Sequence, residues 1–339
     1  MSRQRRKESV EDLLDNNNIP SSTTTATKER NTSGHVGILI IKQLVVCFCT
    51  IYCLLLLLLY LSSTFRQQLV FLNYLKNPFL NYDDPEAFGL PNTTNFYING
   101  KAGKLGVWYV PANGLAAIND GKPVILYMHG NAYSRATQHR TSTYKVLSAL
   151  GCHVIAHDYR GFGDSDGIPT EQGLIDDSLT VFQWILANTN NGPVYLWGHS
   201  LGSAVAVAIS KILTETDVSV MGVILEAPLN NMRDAAFNHP LATPYRMWPF
   251  FQDTLQEVNE MYKSDEIISS IKYNILILHD HGDKIVKFMS GKKLHEAALK
   301  HKKENQSIEF KEFTGFSHTT ISASEDLPEI LRNFMKLDK

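Results

Sequence analysis

Ser200 stands in a sequence pattern that can turn a serine hydroxyl into a nucleophile. The apolar run VYLW at 194–197 leads into G-H-S-L-G, and an Ala/Val-rich stretch follows directly. This pattern predicts a strand that ends in a sharp turn at the serine and continues as a helix. Gly198 and Gly202 leave room for the tight backbone, and the N-terminal amides of the helix would point at the reacting centre. The predicted chemistry is acyl transfer through a serine.

A base must come from elsewhere in the chain, because a serine hydroxyl is a poor nucleophile at neutral pH unless a histidine removes its proton. His318 is the expected base, since it lies in the small-residue loop FTGFSH after the last predicted strand. His281 lies too near the loop that should supply the acid. His295 and His301 lie on or beside a helix with lysines, where we expect solvent around them.

The orienting acid is expected between the serine and the histidine in chain order. Asp283 fits best, because it follows the apolar strand ILILH and can reach the imidazole from there. Its role would be to hold the imidazole in the right tautomer and to stabilise the imidazolium. Asp280 and Glu226 stay open as rivals, since each stands at the end of a predicted strand. Any of the three carboxylates could instead cap a neighbouring helix.

Two backbone amides are expected to form the oxyanion hole. One belongs to Leu201, the residue after the nucleophile, and the other to Asn131 in the loop HGNA at 129–132. Gly130 would permit the turn that aims the Asn131 amide inward.

A second spacing, that of His153 and Asp158, matches the H-x-x-x-x-D pattern of acyltransferases. It lies in a predicted strand, where residues five positions apart point to opposite faces. We interpret this spacing as chance.

Composition limits the remaining classes of function. The chain has 339 residues, 44% of them hydrophobic, and a net charge of −2, so no bulk charge points to nucleic acid. Three of the four cysteines, Cys47, Cys49 and Cys53, crowd one apolar segment, which leaves Cys152 without a partner in the globular part. No metal-ligand spacing and no dinucleotide or Walker A motif is present, so the expected reaction needs no cofactor and no metal.

The N-terminal region predicts a membrane anchor. Residues 1–43 are polar and are interpreted as a disordered tail, and residues 44–62 as a membrane-spanning helix. A cleaved signal peptide is the competing interpretation, but the apolar run begins late and is long for one. A juxtamembrane segment at 63–85 follows, and its aromatic stretch either lies along the membrane surface or packs against the domain.

The charges near the span favour a cytosolic N-terminus only weakly, with the basic cluster at 3–7 adding weight. Asn92 and Asn305 begin glycosylation acceptor triplets on the C-terminal side, and these would be usable if that side is lumenal or extracellular. Such triplets also arise by chance, as Asn31 illustrates in the tail.

From residue 86 to residue 339 the pattern alternates between strands and helices. Early antiparallel strands followed by βα repeats predict a mostly parallel sheet covered by helices on both faces. About 45 residues, 228–273, separate two predicted core strands, and a structureless loop of that length is unusual. We expect a helical cap there, with aromatic side chains suited to an apolar substrate: Phe237, Tyr245, Trp248, Phe250 and Phe251.

Four motifs together resemble the α/β-hydrolase-domain family, and more closely its membrane-anchored lysophosphatidylserine lipases, which also hydrolyse monoacylglycerols. They are YMHGNA at 127–132, DYRGFGDS at 158–165, VYLWGHSLG at 194–202 and ILH at 277–279 with Asp283. The resemblance covers about residues 70–336 and implies an α/β-hydrolase fold with the Ser-Asp-His triad on Ser200, Asp283 and His318. The loop before His318 is shorter than the family leads us to expect.

The resemblance also implies a glycoprotein of the endoplasmic reticulum membrane with a lumenal catalytic domain, the plasma membrane being the other candidate location. The implied substrates are lysophospholipids and monoacylglycerols. Two other classes stay open: a thioesterase, depalmitoylase or peptidase on the same framework, and a non-catalytic adhesion or scaffold protein. Lumenal placement argues against depalmitoylation in the cytosol, an apolar cap against a peptidase, and a complete triad against a scaffold.

Overall fold

An eight-stranded sheet organises the part of the chain that follows the N-terminal helix. The computed structural model describes residues 23–114, 116–190, 192–239, 242–243, 246, 258 and 260–337. The sheet consists of β1 (Thr94–Gly100), β2 (Gly103–Val110), β3 (Val124–Met128), β4 (His153–His157), β5 (Val194–His199), β6 (Gly222–Glu226), β7 (Asn274–Asp280) and β8 (Ile308–Phe313). Their spatial order is β1-β2-β4-β3-β5-β6-β7-β8.

The sheet is antiparallel at one edge and parallel over the rest. β2 pairs antiparallel with both β1 and β4, and every later pairing is parallel. Every residue of β3, β4, β5 and β6 is buried, which is why these strands read as nearly continuous apolar runs instead of an alternation. The carboxyl ends of parallel strands meet at one edge, so the loops after β5, β7 and β8 can share a site.

Helices cover both faces of this sheet. The α-helices of this part of the chain whose bounds lie among the described residues are α2 (Ser63–Val70), α3 (Gln138–Ala149), α4 (Glu171–Asn188), α5 (Leu201–Glu215), α6 (Met232–Asn238), α7 (Ser264–Ile267), α8 (Phe288–Leu299) and α9 (Leu327–Met335). α5 is the most deeply packed, with buried Ala204, Val205, Ala206 and Val207 in the core on one face of the sheet. The mostly parallel sheet with helices on both faces agrees with the predicted architecture.

The N-terminal helix α1 extends from Thr23 to Leu61, so it begins earlier than predicted. Residues 23–43, expected in a disordered tail, are helical, and residues 1–22 lie outside the described part of the chain. Residues 36–43 belong to the helix because the apolar stretch 36–41 continues the span across Lys42, a residue with good helix propensity. Within α1 the segment His35–Leu61 has a mean hydropathy of 2.8 and is long enough to cross a bilayer.

The predicted cap is described only in part. Its first portion is α6, where the side chain of Asn231 caps the helix by accepting from the Asp234 amide at 2.8 Å. Its last portion contains α7. Phe237 is half-buried at the end of α6, whereas the other cap aromatics named above, Tyr245, Trp248, Phe250 and Phe251, lie outside the described residues.

Candidate active site

Ser200 lies at the sharp turn between β5 and α5. Its backbone has φ 54° and ψ −118°, a conformation that L-residues rarely adopt and that costs about 1–3 kcal/mol. A side chain on Gly198 would collide with the Gly202 carbonyl, and one on Gly202 would collide with the Met128 carbonyl. Both glycines are therefore required by backbone packing, and the strained turn projects the serine from the carboxyl edge of the sheet.

His318 joins Ser200 to Asp283 in one hydrogen-bonded line. Its Nε2 lies 2.9 Å from Ser200 Oγ, and its Nδ1 lies 2.7 Å from Asp283 Oδ2. Asp283 comes directly after β7 and His318 after β8, so the parallel order of the strands brings them to the serine. Ser200 and Asp283 are buried, at 8% and 4% exposure. The structure thus brings together the three residues selected from the sequence.

The Asp283 carboxylate is held ionised by its neighbours. Burial alone would raise its pKa, but hydrogen bonds from His279 and His318 and the backbone amide of Ile285 outweigh burial, so the pKa lies well below its usual range. Oδ1 accepts from the amides of Ile285 and Val286 at 2.8 and 2.9 Å. A fixed anion at this position favours the tautomer in which His318 Nδ1 carries its proton towards Asp283, leaving Nε2 able to accept from the serine.

The rival acids have other contacts. Asp280 accepts from the Gly282 amide at 2.7 Å and from the Phe316 amide at 3.0 Å, so it braces the loop that carries His318. Glu226 accepts from Trp197 Nε1 at 3.1 Å, and burial raises its pKa to about 7. Neither carboxylate has a hydrogen bond to His318 within the described part of the chain.

The other candidate histidines lie away from the serine. His281 is exposed and bonded to Glu312 at 2.8 Å, and His301 is exposed. His295 is half-buried and stacks on Phe310 with ring centroids 5.4 Å apart, which corrects the expectation that solvent surrounds it. The ring of Phe310, which belongs to β8, covers one face of the imidazole in place of water.

The loop from His129 to Arg135, here called the oxyanion loop, passes beside Ser200. A side chain on Gly130 would lie 3.1 Å from Ser200 Cβ and 2.9 Å from His199 Nδ1, which is why a glycine stands there. Leu201 is the first residue of α5, so its amide lacks an acceptor inside the helix. The loop and the helix start thus bring the two expected donors, Asn131 and Leu201, to the neighbourhood of the serine.

Arg140 holds the oxyanion loop and was not anticipated from the sequence. This arginine is 1% exposed and donates to the backbone carbonyls of Gly130, Ala132 and Ser134 at 3.0, 2.8 and 2.6 Å. In a trans peptide the amide points opposite to the carbonyl of the preceding residue. His129 Nδ1 also lies 2.7 Å from the Gly130 oxygen, so Arg140 and His129 together hold this carbonyl and with it the direction of the Asn131 amide.

The interpretation of His153 and Asp158 as a chance spacing agrees with their separate environments. His153 Nδ1 accepts from the Ala112 amide at 3.0 Å, and its Nε2 contacts Asp120 at 3.0 Å. Asp158 is buried beside Arg135, whose backbone amide donates to it at 2.6 Å. Among the described residues, no group of three His, Cys, Asp or Glu side chains is placed to hold a metal ion.

Curated proteins resemble this chain over most of its length. It is 35% identical to the lysophosphatidylserine lipase ABHD12 of Danio rerio, over 87% of this chain and 84% of that protein. It is 38% identical to the protein of the same name from Gallus gallus, with the same coverage. Protein ABHD12B of Homo sapiens is 39% identical over 79% of each chain. A family model described as serine aminopeptidase, S33, matches residues 120–249.

Solved structures confirm the predicted fold class. An esterase of Pyrococcus furiosus superposes with a TM-score of 0.58 at 20% identity, over 74% of this chain and 92% of its own. An α/β hydrolase from Vibrio vulnificus gives a TM-score of 0.56 at 21% identity, over 71% of this chain and 79% of its own. At these identities the likeness concerns the fold alone.

Proposed function

The chain belongs to the α/β-hydrolase family of the lysophosphatidylserine lipases, and from this premise we propose that it cleaves the acyl ester of single-chain lipids with Ser200, His318 and Asp283 as its catalytic residues. The observation that carries the proposal is the continuous hydrogen-bonded line from Ser200 Oγ through His318 to Asp283 Oδ2. A buried, ionised acid and a strained serine turn are features that binding alone would not require.

The mechanism follows from that line. His318 Nε2 takes the proton of Ser200 as Oγ attacks the ester carbonyl carbon, and the same nitrogen returns the proton to the departing glycerol-type alcohol. Water, deprotonated by His318, then cleaves the acyl-enzyme and releases the fatty acid. The amides of Leu201 and Asn131 would stabilise the oxyanion in both steps, and losing one such donor costs about 2.7–4 kcal/mol.

Lysophosphatidylserine is the first substrate to test, since it is named for relatives that align with 84% of their own length. Monoacylglycerols share its single acyl chain, and glycerol leaves from them as glycerophosphoserine leaves from lysophosphatidylserine, through a hydroxyl of the glycerol backbone, so the same site chemistry applies to them. An anchored enzyme meets such lipids where they partition, because the segment His35–Leu61 is apolar enough to remain in a bilayer.

For location we propose the endoplasmic reticulum membrane, with a cytosolic N-terminus and a lumenal catalytic domain. Asn92 and Asn305 support this orientation, because both are exposed and therefore accessible to glycosylation in the lumen. Asn92 has a positive φ of 59°, as is common for asparagine in a turn. Replacing each with glutamine in turn should remove one endoglycosidase H-sensitive mobility step. A protein without any such step would argue for the opposite orientation, and complex, resistant glycans would favour the plasma membrane.

Labelling of full-length protein in membranes with a fluorophosphonate probe tests the nucleophile. We expect wild type to label and Ser200→Ala to lose the label. Ser210→Ala is the matched control: Ser210 lies buried on the same helix, bonded to the Ala206 carbonyl at 2.6 Å, and should label like wild type. A folded wild type that takes no label would overturn the hydrolase proposal and favour a scaffold.

A substrate panel separates the classes of acyl hydrolase. Wild-type membranes should release fatty acid from lysophosphatidylserine and monoacylglycerol, and Ser200→Ala membranes should not. Preferred turnover of an acyl thioester or a peptide, with labelling intact, would replace the lipase proposal by a thioesterase or peptidase.

A further inference from the structure

The backbone of the juxtamembrane segment is hydrogen-bonded to the oxyanion loop. Asn131 Oδ1 accepts from the Leu72 amide at 2.9 Å, and its Nδ2 donates to the Val70 carbonyl. Farther along both segments, the Tyr133 amide donates to the Leu75 carbonyl at 2.9 Å. Asn131, whose backbone amide is expected to stabilise the oxyanion, thus binds the juxtamembrane segment through its side chain.

Two further contacts fix the segment on the domain. The Phe71 side chain is 1% exposed within the core. Lys76 Nζ donates to the carbonyls of Gly161 and Gly163 at 3.3 and 3.1 Å. The segment from Val70 to Lys76 is therefore anchored at several points along its length.

The exposed large side chains of the stretch 69–79 are mainly apolar, although Lys76 and Asn77 are exposed as well. The apolar ones, with the neighbouring tyrosine of the oxyanion loop, form what we call the juxtamembrane patch: Leu69, Tyr74, Leu75, Phe79 and Tyr133. Phe79 is 92% exposed and Tyr74 is 60% exposed. Single exposed apolar residues are common in soluble proteins, but a group of aromatic and aliphatic side chains on and beside one anchored segment indicates a partner.

Chain continuity and charge identify the partner as a lipid bilayer. Leu69 comes only eight positions after Leu61, the last residue of the apolar helix. Most of the connecting stretch belongs to the helix Ser63–Val70, and because a helix rises only about 1.5 Å per residue, the connection to the apolar helix is short. No acidic residue occurs between positions 62 and 82, whereas Arg66 and Lys76 are present. Aromatic side chains beside cationic ones are the composition found at membrane–water interfaces.

We propose that the juxtamembrane patch is a bilayer-contacting surface that delivers single-chain lipid to the catalytic serine past the oxyanion loop. This inference rests on the proposed function and adds to it the route of substrate entry. Because Tyr133 belongs both to the patch and to the oxyanion loop, a lipid that leaves the bilayer at the patch is already beside the expected oxyanion donors.

The test compares two substrates on full-length protein in phosphatidylcholine vesicles. One is long-chain lysophosphatidylserine in the vesicle, and the other is a water-soluble short-chain p-nitrophenyl ester. We expect Phe79→Asp and Leu75→Asp to lower lysolipid turnover by about tenfold or more, the scale of one lost aromatic or aliphatic contact, with ester turnover and fluorophosphonate labelling within about twofold of wild type.

Met221→Asp is the matched control. Met221 is 53% exposed and comes just before β6, at the amino ends of the strands and so on the side of the sheet away from Ser200. It should leave both turnovers unchanged. An equal loss in Met221→Asp, an equal loss on both substrates in the patch variants, or no loss in them would each overturn the patch proposal.

A binding readout keeps this inference separate from the proposed function. Tryptophan placed by Phe79→Trp should be quenched by brominated phosphatidylcholine in the vesicles, measured as the difference from the parent protein. Quenching without lysolipid hydrolysis by wild type would retain the patch and refute the lipase proposal. Lysolipid hydrolysis by wild type without quenching would refute the patch and retain the lipase proposal.

Discussion

The side chain of His199 donates a hydrogen bond to the backbone carbonyl of His318, with Nε2 and oxygen 2.8 Å apart. Because the acceptor is a carbonyl, Nε2 must carry the proton, and Nδ1 has no hydrogen-bond partner among the described residues. Burial, with the nearby imidazoles of His318 and His139, lowers the pKa of His199 well below its usual value. A neutral imidazole next to the proposed nucleophile therefore holds the backbone of His318, the proposed catalytic base.

We predict that His199→Leu lowers kcat for a soluble ester by about 10–100-fold with KM nearly unchanged, because misplacing a catalytic group by about 1 Å has that effect. His199→Gln should recover part of the rate, since its amide can donate to the same carbonyl. Equal activity in both variants would mean that the bond does not position His318. Steady-state kinetics and the rate of fluorophosphonate inactivation measure this.

The acid is tested by replacing it without changing its shape. Asp283→Asn should lower kcat by about 10⁴-fold, because an amide at this position stabilises the wrong tautomer of His318. Glu226→Gln should keep kcat within a few-fold, since Glu226 has no hydrogen bond to His318 in the described part of the chain. If Glu226→Gln instead loses as much as Asp283→Asn, the assignment of the acid is wrong.

The sequence identified the residues whose positions depend on local pattern and chain order. The G-x-S-x-G turn is encoded by two neighbouring glycines, and the parallel strand order then places Asp283 and His318 beside the serine. The same logic predicted the sheet, because β3 to β6 are buried apolar runs. β1 was not located from the sequence, since Asn95 and Asn99 break its pattern and six of its seven residues are exposed or half-exposed at the sheet edge.

The sequence could not indicate contacts that only the folded chain creates. His199 reaches a carbonyl 119 positions away, and the Asn131 side chain reaches backbone 59 and 61 positions away. Arg140 lies on α3, and on a helix an arginine is ordinarily a solvated residue. Its burial against three carbonyls depends on how the oxyanion loop folds back over α3. The spacing of apolar residues along the sequence carries no information about that contact.

Glu226 predicts an unusual dependence of stability on pH. Burial, opposed in part by the hydrogen bond from Trp197, raises its pKa from 4.5 to about 7. Between these values the unfolded chain ionises Glu226 and the folded chain does not, so stability falls as pH rises through this window. Glutamine cannot ionise, so the stability of Glu226→Gln relative to wild type should increase by about 3 kcal/mol between pH 4.5 and 8. Thermal unfolding in detergent at both pH values measures the difference, and a constant difference would contradict the raised pKa.

Arg140 is expected to act on the reaction through the oxyanion loop, whose carbonyls it binds. Arg140→Met removes one contact from each of the carbonyls of Gly130, Ala132 and Ser134, while Ala132 and Tyr133 remain at positive φ, 84° and 60°. The Gly130 carbonyl keeps its contact with His129 Nδ1, and the Ser134 carbonyl keeps its hydrogen bonds from Thr137. The Asn131 amide should lose its direction, and kcat should fall by about 10²–10³-fold, the effect of losing one oxyanion donor. Arg160→Met is the control: it also removes a largely buried arginine, paired with Asp177 at 2.7 Å. Loss of kcat in proportion to the loss of thermal stability in both variants would reduce Arg140 to a stabilising residue. A specific loss in Arg140→Met, with substrate KM unchanged, would establish it as the residue that aims the oxyanion hole.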